Sequence, residues 1–191
     1  MQRAGFLRRA ALVAGSAAGA SLLLGPRQAE DAEAQTAADK RALNLALLVE
    51  YAEADFYAKA VKEGKLDGEL RAFAEQVARQ EDDHVAFIKS ALGSSAGSKP
   101  QFDFGTTTSD PDAFADRAAA LEDLAVAAYA GQAGNLSKPV LRSAATLISV
   151  EARHAAWIRS IVGRPPAAEP TDKPRNADQV RSDLKQLGMK G

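Results

Sequence analysis

Residues 81–93 read Glu81-Asp82-Asp83-His84-Val85-Ala86-Phe87-Ile88-Lys89-Ser90-Ala91-Leu92-Gly93. Residues 151–163 read Glu151-Ala152-Arg153-His154-Ala155-Ala156-Trp157-Ile158-Arg159-Ser160-Ile161-Val162-Gly163. Aligned without a gap, the two stretches share Glu, His, Ala, Ile, Ser and Gly. Phe87, Lys89 and Leu92 exchange like for like with Trp157, Arg159 and Val162. The chain has two histidines, and each lies three residues after one of these glutamates. Positions i and i+3 share a helix face, so each Glu-x-x-His offers a carboxylate and an imidazole to one point.

The repeat extends upstream. Glu50 stands seven residues before Tyr57, and Glu122 seven residues before Tyr129. Each pair precedes its Glu-x-x-His by roughly thirty residues. The chain thus reads as a duplicated helical hairpin. In each copy, one helix carries a lone glutamate and the next carries Glu-x-x-His. That is the ligand layout of di-iron and di-manganese carboxylate bundles.

Helix-period stripes place these residues. Leu43, Leu47, Glu50, Ala54, Tyr57 and Val61 mark a first helix from about Thr36 to Glu63. Leu70, Phe73, Val77, Glu81, His84 and Ile88 mark a second, from Asp67 to Leu92, with Gly93 after its end. Asp110-Pro111 starts a third, whose stripe is Phe114, Ala118, Glu122, Ala125 and Tyr129 and whose end falls at Gly131 and Gly134. Ser137 is expected to cap a fourth, striped by Val140, Ala144, Leu147, Glu151, His154, Ile158 and Ile161. The long Gly/Ser/Thr-rich link from Gly93 to Ser109 suits the crossover of a four-helix bundle, with Phe102 and Phe104 packing onto it. After a Pro-rich tail, Asn176 and Gln179 form a capping-box start to a short helix bearing Val180, Leu184 and Leu187, which is expected to dock on the bundle. The expected fold is all-α: a bundle over residues 35–163 and a tail over 164–191.

Residues 1–34 read as a leader. Arg3, Arg8 and Arg9 precede a weakly apolar run, Ala10 to Leu24, too short to span a bilayer, and Ala32-Glu33-Ala34 suits cleavage. The Arg8-Arg9 pair resembles a twin-arginine signal, so the protein is expected to be exported to the periplasm or another extracytoplasmic space, without a membrane span after cleavage. A net charge of −1 over 191 residues gives no electrostatic case for nucleic acid. With no cysteine, disulfides, thiolate metal sites and thiol nucleophiles are excluded.

Glu50, Glu81, His84, Glu122, Glu151 and His154 occupy positions where the stripes ask for apolar residues, and no stripe supplies a Lys or Arg to balance them. Buried carboxylates left unpaired cost several kcal/mol each. Two divalent cations would balance four carboxylates, with two neutral imidazoles completing the set. Carboxylate with imidazole suits Fe, Mn or Zn better than Ca or Mg. By analogy with bundle sites, Glu81 and Glu151 are expected to bridge, and Glu50 and Glu122 to be terminal. Tyr57 and Tyr129 read first as core residues and second as hydrogen-bond partners of the ligands. Glu53, Asp55, Asp82, Asp83 and Asp123 are expected to face solvent, with a few of them as alternative supporting partners of the ligands, and Phe87 and Trp157 to lie in the core.

The segments Leu43 to Tyr57, Phe102-Asp103-Phe104-Gly105, Leu121-Glu122-Asp123 with Ala128-Tyr129, and the two Glu-x-x-His repeats resemble the exported ferritin-like domain family that includes the plant desiccation-related proteins. The tail Asp172-Lys173-Pro174 is similar too. The resemblance implies an intact metal site at all six positions and supplies no substrate. The first expected function is a di-iron site acting on Fe(II) with oxygen or peroxide, or a di-manganese site disproportionating peroxide. The alternative is an envelope stress protein with a structural metal and no turnover. A homo-oligomer is left open, and cage-type iron storage is disfavoured by the lack of a fifth helix like that of cage-forming ferritins.

Overall fold

A computed structural model describes residues 35–190, which belong to one compact unit, Gln35–Gly191. The expected leader, with its twin-arginine pair and cleavage site, lies outside the described residues. Five α-helices follow in order: α1 (Ala37–Glu63), α2 (Gly68–Leu92), α3 (Pro111–Gln132), α4 (Lys138–Ile161) and α5 (Ala177–Gln186). Among the described residues there is no strand, and no helix is long and apolar enough to cross a membrane. Each hairpin, α1 with α2 and α3 with α4, is a tight pair. The hairpins join mainly through α1 against α3, leaving α2–α4 as the looser side. This is the expected all-α four-helix bundle with a short C-terminal helix.

Local chemistry sets the helix ends. Thr36 caps α1 in a reciprocal box: its hydroxyl accepts from the Asp39 N–H at 3.0 Å, and Asp39 accepts from the Thr36 N–H at 2.9 Å. Asp110 caps α3 by accepting from the Ala113 N–H, with Pro111 at the first position. Asn176 and Gln179 box the start of α5. Ser137 sits at the N-cap of α4 but makes no side-chain cap. Its backbone N–H instead donates to Asp39 Oδ1 at 2.7 Å, so one buried carboxylate ties the start of α1 to the start of α4.

The crossover and tail are held against the bundle. Asn44 on α1 accepts from the Gly97 N–H at 2.7 Å and donates to the Ser95 carbonyl at 3.0 Å. Phe102 pairs with Met189, and the Asp103 N–H donates to the Gly188 carbonyl at 2.8 Å. Gly188 has φ 124°, and a Cβ there would stand 2.5 Å from the Asp103 carbonyl oxygen, so both conformation and space require glycine. Gly131 does not end α3, as the spacing suggests, because the helix continues to Gln132. Its role is close approach: a Cβ would fall 1.9 Å from the Arg175 carbonyl oxygen, where the tail crosses α3 and the Arg175 N–H donates to Ala127.

The apolar core forms two clusters. One gathers Phe56, Phe73, Val77, Phe104, Phe114 and Ile158 with Val180 and Leu184 of α5; the other gathers Leu43, Leu47, Ile88, Leu92 and Leu147. Phe56 and Phe114 stack at 5.2 Å between α1 and α3, and Phe104 meets Phe56 edge-on at 5.3 Å. Each fully buried aromatic contributes about 1.5–3 kcal/mol relative to exposure. On α2 and α4 the polar stripe residues fall between the two clusters, so the site is a polar layer held by apolar packing on both sides. Three expected core positions are exposed instead: Phe87 (41%), Trp157 (39%) and Val61 (39%). Phe87 on α2 and Trp157 on α4 belong to the two helices of the looser side, where no element among the described residues covers their outer flank. Trp157 keeps an edge contact with Phe73 at 5.1 Å.

Candidate metal centre

All four helices of the bundle bring a residue to the polar layer. α1 supplies Glu50, α2 supplies Glu81 and His84, α3 supplies Glu122, and α4 supplies Glu151 and His154. The four carboxylates are fully buried, and the imidazoles are 7% and 3% exposed. Two four-residue sets result: Glu50, Glu81, His84 and Glu151, and Glu81, Glu122, Glu151 and His154. Within each, one ligand atom per residue lies within 4.8 Å of the others. Glu81 and Glu151 belong to both sets, which is where bridging carboxylates were expected.

The atoms converge on points rather than pairing off. His84 Nδ1 stands 2.7 Å from Glu151, 3.0 Å from Glu81 and 3.3 Å from Glu50. His154 Nδ1 stands 3.0 Å from Glu81, 3.4 Å from Glu122 and 3.6 Å from Glu151. One ring N–H can satisfy one acceptor at a time. Accordingly Glu50 Oε2, Glu81 Oε1, Glu122 Oε2, both Glu151 oxygens and His154 Nδ1 are buried without a hydrogen bond. Orphaned acceptors around a common point are what a cation satisfies and a hydrogen-bond network leaves costly. Among the described residues, no Lys or Arg is buried beside them. The donor set fits a transition metal.

The surroundings orient the ligands. Tyr57 on α1 donates its hydroxyl to Glu122 on α3, and Tyr129 on α3 donates its hydroxyl to Glu50 on α1. Each tyrosine thus fixes the lone glutamate of the other hairpin. Both readings of the tyrosines hold, since the rings pack in the core while the hydroxyls serve the site. Gln80 was not anticipated. Its Oε1 lies 2.8 Å from His154 Nε2. An amide oxygen only accepts, so Nε2 donates its proton to Gln80 and Nδ1 is the ring nitrogen turned toward the carboxylates, where it would ligate a cation once it has lost its own proton. The repeat held a signal: position 80 corresponds to Val150, so a polar residue there departs from the pattern.

Glu53 overturns its expectation. It is fully buried, with neither carboxylate oxygen hydrogen-bonded. Asp82, Asp83 and Asp123 are exposed as expected, and Asp55 is half-buried and paired with Lys99. Glu53 lies one turn after Glu50 on α1 and belongs to neither four-residue set.

Protons stand where cations would in the metal-free protein. Burial pushes both imidazoles down, but the surrounding carboxylates outweigh it, so His84 titrates above its ordinary 6.5 and His154 rises to about 12. Burial pushes Glu81 up, and the two imidazoles bring it down to about 2. Burial and neighbouring carboxylates raise Glu50 and Glu53 well above 4.5 and Glu122 to about 8. Burial, then the nearby carboxylates, raises Tyr57 and Tyr129 well above 10.0.

No curated protein matches the chain. The sequence model of the ferritin-like domain family matches residues 38–164, a span that runs from the first turn of α1 to just past the end of α4 and contains every residue of the polar layer. With the bundle, the crossover and the carboxylate–histidine layer inside that span, the chain belongs to the ferritin-like domain family.

Proposed function

We propose that the polar layer holds a dinuclear metal centre, iron in the first instance and manganese as the alternative, and that the protein oxidises Fe(II) or consumes peroxide. The observation that carries this reading is the pair of buried ligand sets sharing Glu81 and Glu151. Glu50 with His84 serves one position, Glu122 with His154 the other, and the shared carboxylates lie between them. A bound pair of redox-active ions supplies electron transfer to oxygen or peroxide. The chain's own residues keep the site dry, hold both imidazoles with Nδ1 inward, and fix the terminal carboxylates through Tyr129 and Tyr57. The test is metal analysis of the protein from Gln35 onward, purified without chelator, followed by assays of oxygen uptake with Fe(II) and of peroxide loss. About two Fe or Mn per chain, and turnover that falls in Glu151→Ala, are expected. Failure to bind metal even after reconstitution overturns the reading.

One observation favours a second reading. The six residues come from all four helices, so bound metal would also cross-link the bundle. A structural centre of this kind would lower thermal stability on metal removal and show no turnover.

Residues 1–34 are assigned, on the Arg8-Arg9 pair ahead of the run Ala10 to Leu24, as a leader that sends the protein out of the cytoplasm. N-terminal sequencing of the protein from its source checks this. A start near Gln35 is expected, and an intact Met1 in the bulk of the protein refutes it.

A further inference from the structure

The two halves of the repeat differ at one place that the six-residue centre does not explain. Glu53 lies three residues after Glu50, on the same face of α1. Its counterpart three residues after Glu122 is Ala125, which is also fully buried. The fold therefore packs a methyl group at this position in one half and a carboxylate in the other. Packing alone does not ask for the acid. Both Glu53 oxygens are buried and without a hydrogen bond, and neither is paired with a basic side chain among the described residues. Protonation would leave it no better served, because a neutral carboxyl still needs an acceptor for its O–H.

Charge narrows the choice. Four carboxylates and two neutral imidazoles balance two divalent cations. Glu53 adds one negative charge, so the layer is matched to five positive charges rather than four. On α1, Glu53 lies four residues before Tyr57, one turn from the residue whose hydroxyl holds Glu122. The second departure from the repeat falls on the same side, since Gln80 (Val150 in the other half) holds His154. Gln80 thus touches the position framed by Glu81, Glu122, Glu151 and His154, and Glu53, outside that set, lies one turn from the tyrosine that serves it.

Building on the metal-centre reading above, we propose that Glu53 is a fifth carboxylate ligand of the centre, serving the position framed by Glu81, Glu122, Glu151 and His154. It makes the two positions unequal and suits this one to a trivalent ion, leaving the Glu50–His84 position to a divalent one.

Redox-inert ions test this without turnover. Metal-free wild type and Glu53→Gln, the near-isosteric neutral variant, are titrated calorimetrically with Zn(II) and, separately, with Ga(III) supplied as its citrate complex. Wild type is expected to take two Zn(II) with different affinities. Glu53→Gln should still take two, with one weakened about tenfold and the other within about twofold, and its Ga(III) binding should fall further. Metal-free Glu53→Gln should melt no lower than wild type, because it loses only a buried carboxyl group that has no hydrogen-bond partner. Identical binding of both ions by Glu53→Gln and wild type overturns the proposal while leaving the dinuclear centre standing. A lower melting temperature of metal-free Glu53→Gln assigns Glu53 to packing and also overturns it. A wild type that binds neither ion overturns both the proposal and the centre.

Discussion

The α1–α2 and α3–α4 hairpins carry the same frame and differ in how it is furnished. Each places a lone glutamate, a Glu-x-x-His and a tyrosine seven residues past the lone glutamate. Each tyrosine reaches across to hold the other hairpin's glutamate, Tyr57 to Glu122 and Tyr129 to Glu50. What repeats is what any two-cation layer needs: balanced charge and oriented ligands. What differs, Glu53 against Ala125 and Gln80 against Val150, makes one position unlike the other. A perfect duplication would give two equal surroundings; this one gives two different surroundings in one frame.

The largest test of the frame is Glu151→Ala. Glu151 belongs to both ligand sets, so its loss should abolish binding at both positions, by at least about 100-fold in affinity. Glu122→Ala should weaken only the position shared with His154, and Glu50→Ala only the one shared with His84. Metal content per chain after dialysis distinguishes these outcomes. Loss of both ions from Glu122→Ala would show that the positions do not fill independently.

Next in size is the response to acid. His84 is raised above its ordinary value, and His154 lies at about 12, by the carboxylates that surround them. At pH 7 both are imidazolium in the metal-free protein, whereas a ligating Nδ1 must be free of its proton. Binding therefore releases protons, and acidification favours the metal-free form. At least two protons per chain should appear in unbuffered solution on loading, and apparent affinity should fall about tenfold per pH unit for each proton released. Affinity independent of pH between 6 and 8 would refute the ligand assignment.

The tyrosine pair tests whether the halves support each other equally. Tyr57→Phe leaves a buried acceptor of Glu122 without its donor, and Tyr129→Phe does the same to Glu50. Each should cost about 1–3 kcal/mol in the metal-free protein. That is roughly 2–4 °C of melting temperature per kcal/mol for a chain of this size. The two losses should match, because the hydrogen bonds are reciprocal. The metal-bound protein should lose less, since a cation also serves the carboxylate. A large loss from one variant and none from the other would break the symmetry at the level of the frame itself.

Much of this was legible before the fold was known, and for a physical reason. A glutamate or histidine in an apolar stripe is conspicuous, and the four stripes of the two repeated hairpins pointed to the six residues that form the two buried sets. Helix starts at Thr36, Asp110 and Asn176 were legible because capping is local. Glu53 was not, because one stripe assumes one buried face. α1 is covered by α2, α3 and α5, and from Val49 to Ala54 every residue is buried, so position says nothing about which side chains face solvent there. Gln80 needed the packing of α2 beside α4, which no single helix reveals. Gly131 looked like a stop signal because a close backbone approach and a helix end call for the same residue.

The smallest expected effect lies on the loose side, where the repeat misled. Phe87 and Trp157 occupy the same place in the two copies and are both about two-fifths exposed, at 41% and 39%. Equivalence in the repeat implied equal burial, and the exposure is indeed equal, but in the other sense. Their energetics still differ. Trp157 lies edge-on to Phe73, a contact worth about 0.5–1.5 kcal/mol beyond area burial, whereas Phe87 has no ring partner among the described residues. Phe87→Gln should therefore change stability by no more than about 0.5 kcal/mol, and Trp157→Gln should cost about 1 kcal/mol more. Chemical denaturation of the two variants under the same metal-free conditions measures the gap. Equal losses would mean that the Phe73 contact adds nothing, and that the outer flanks of α2 and α4 are as alike in energy as they are in sequence.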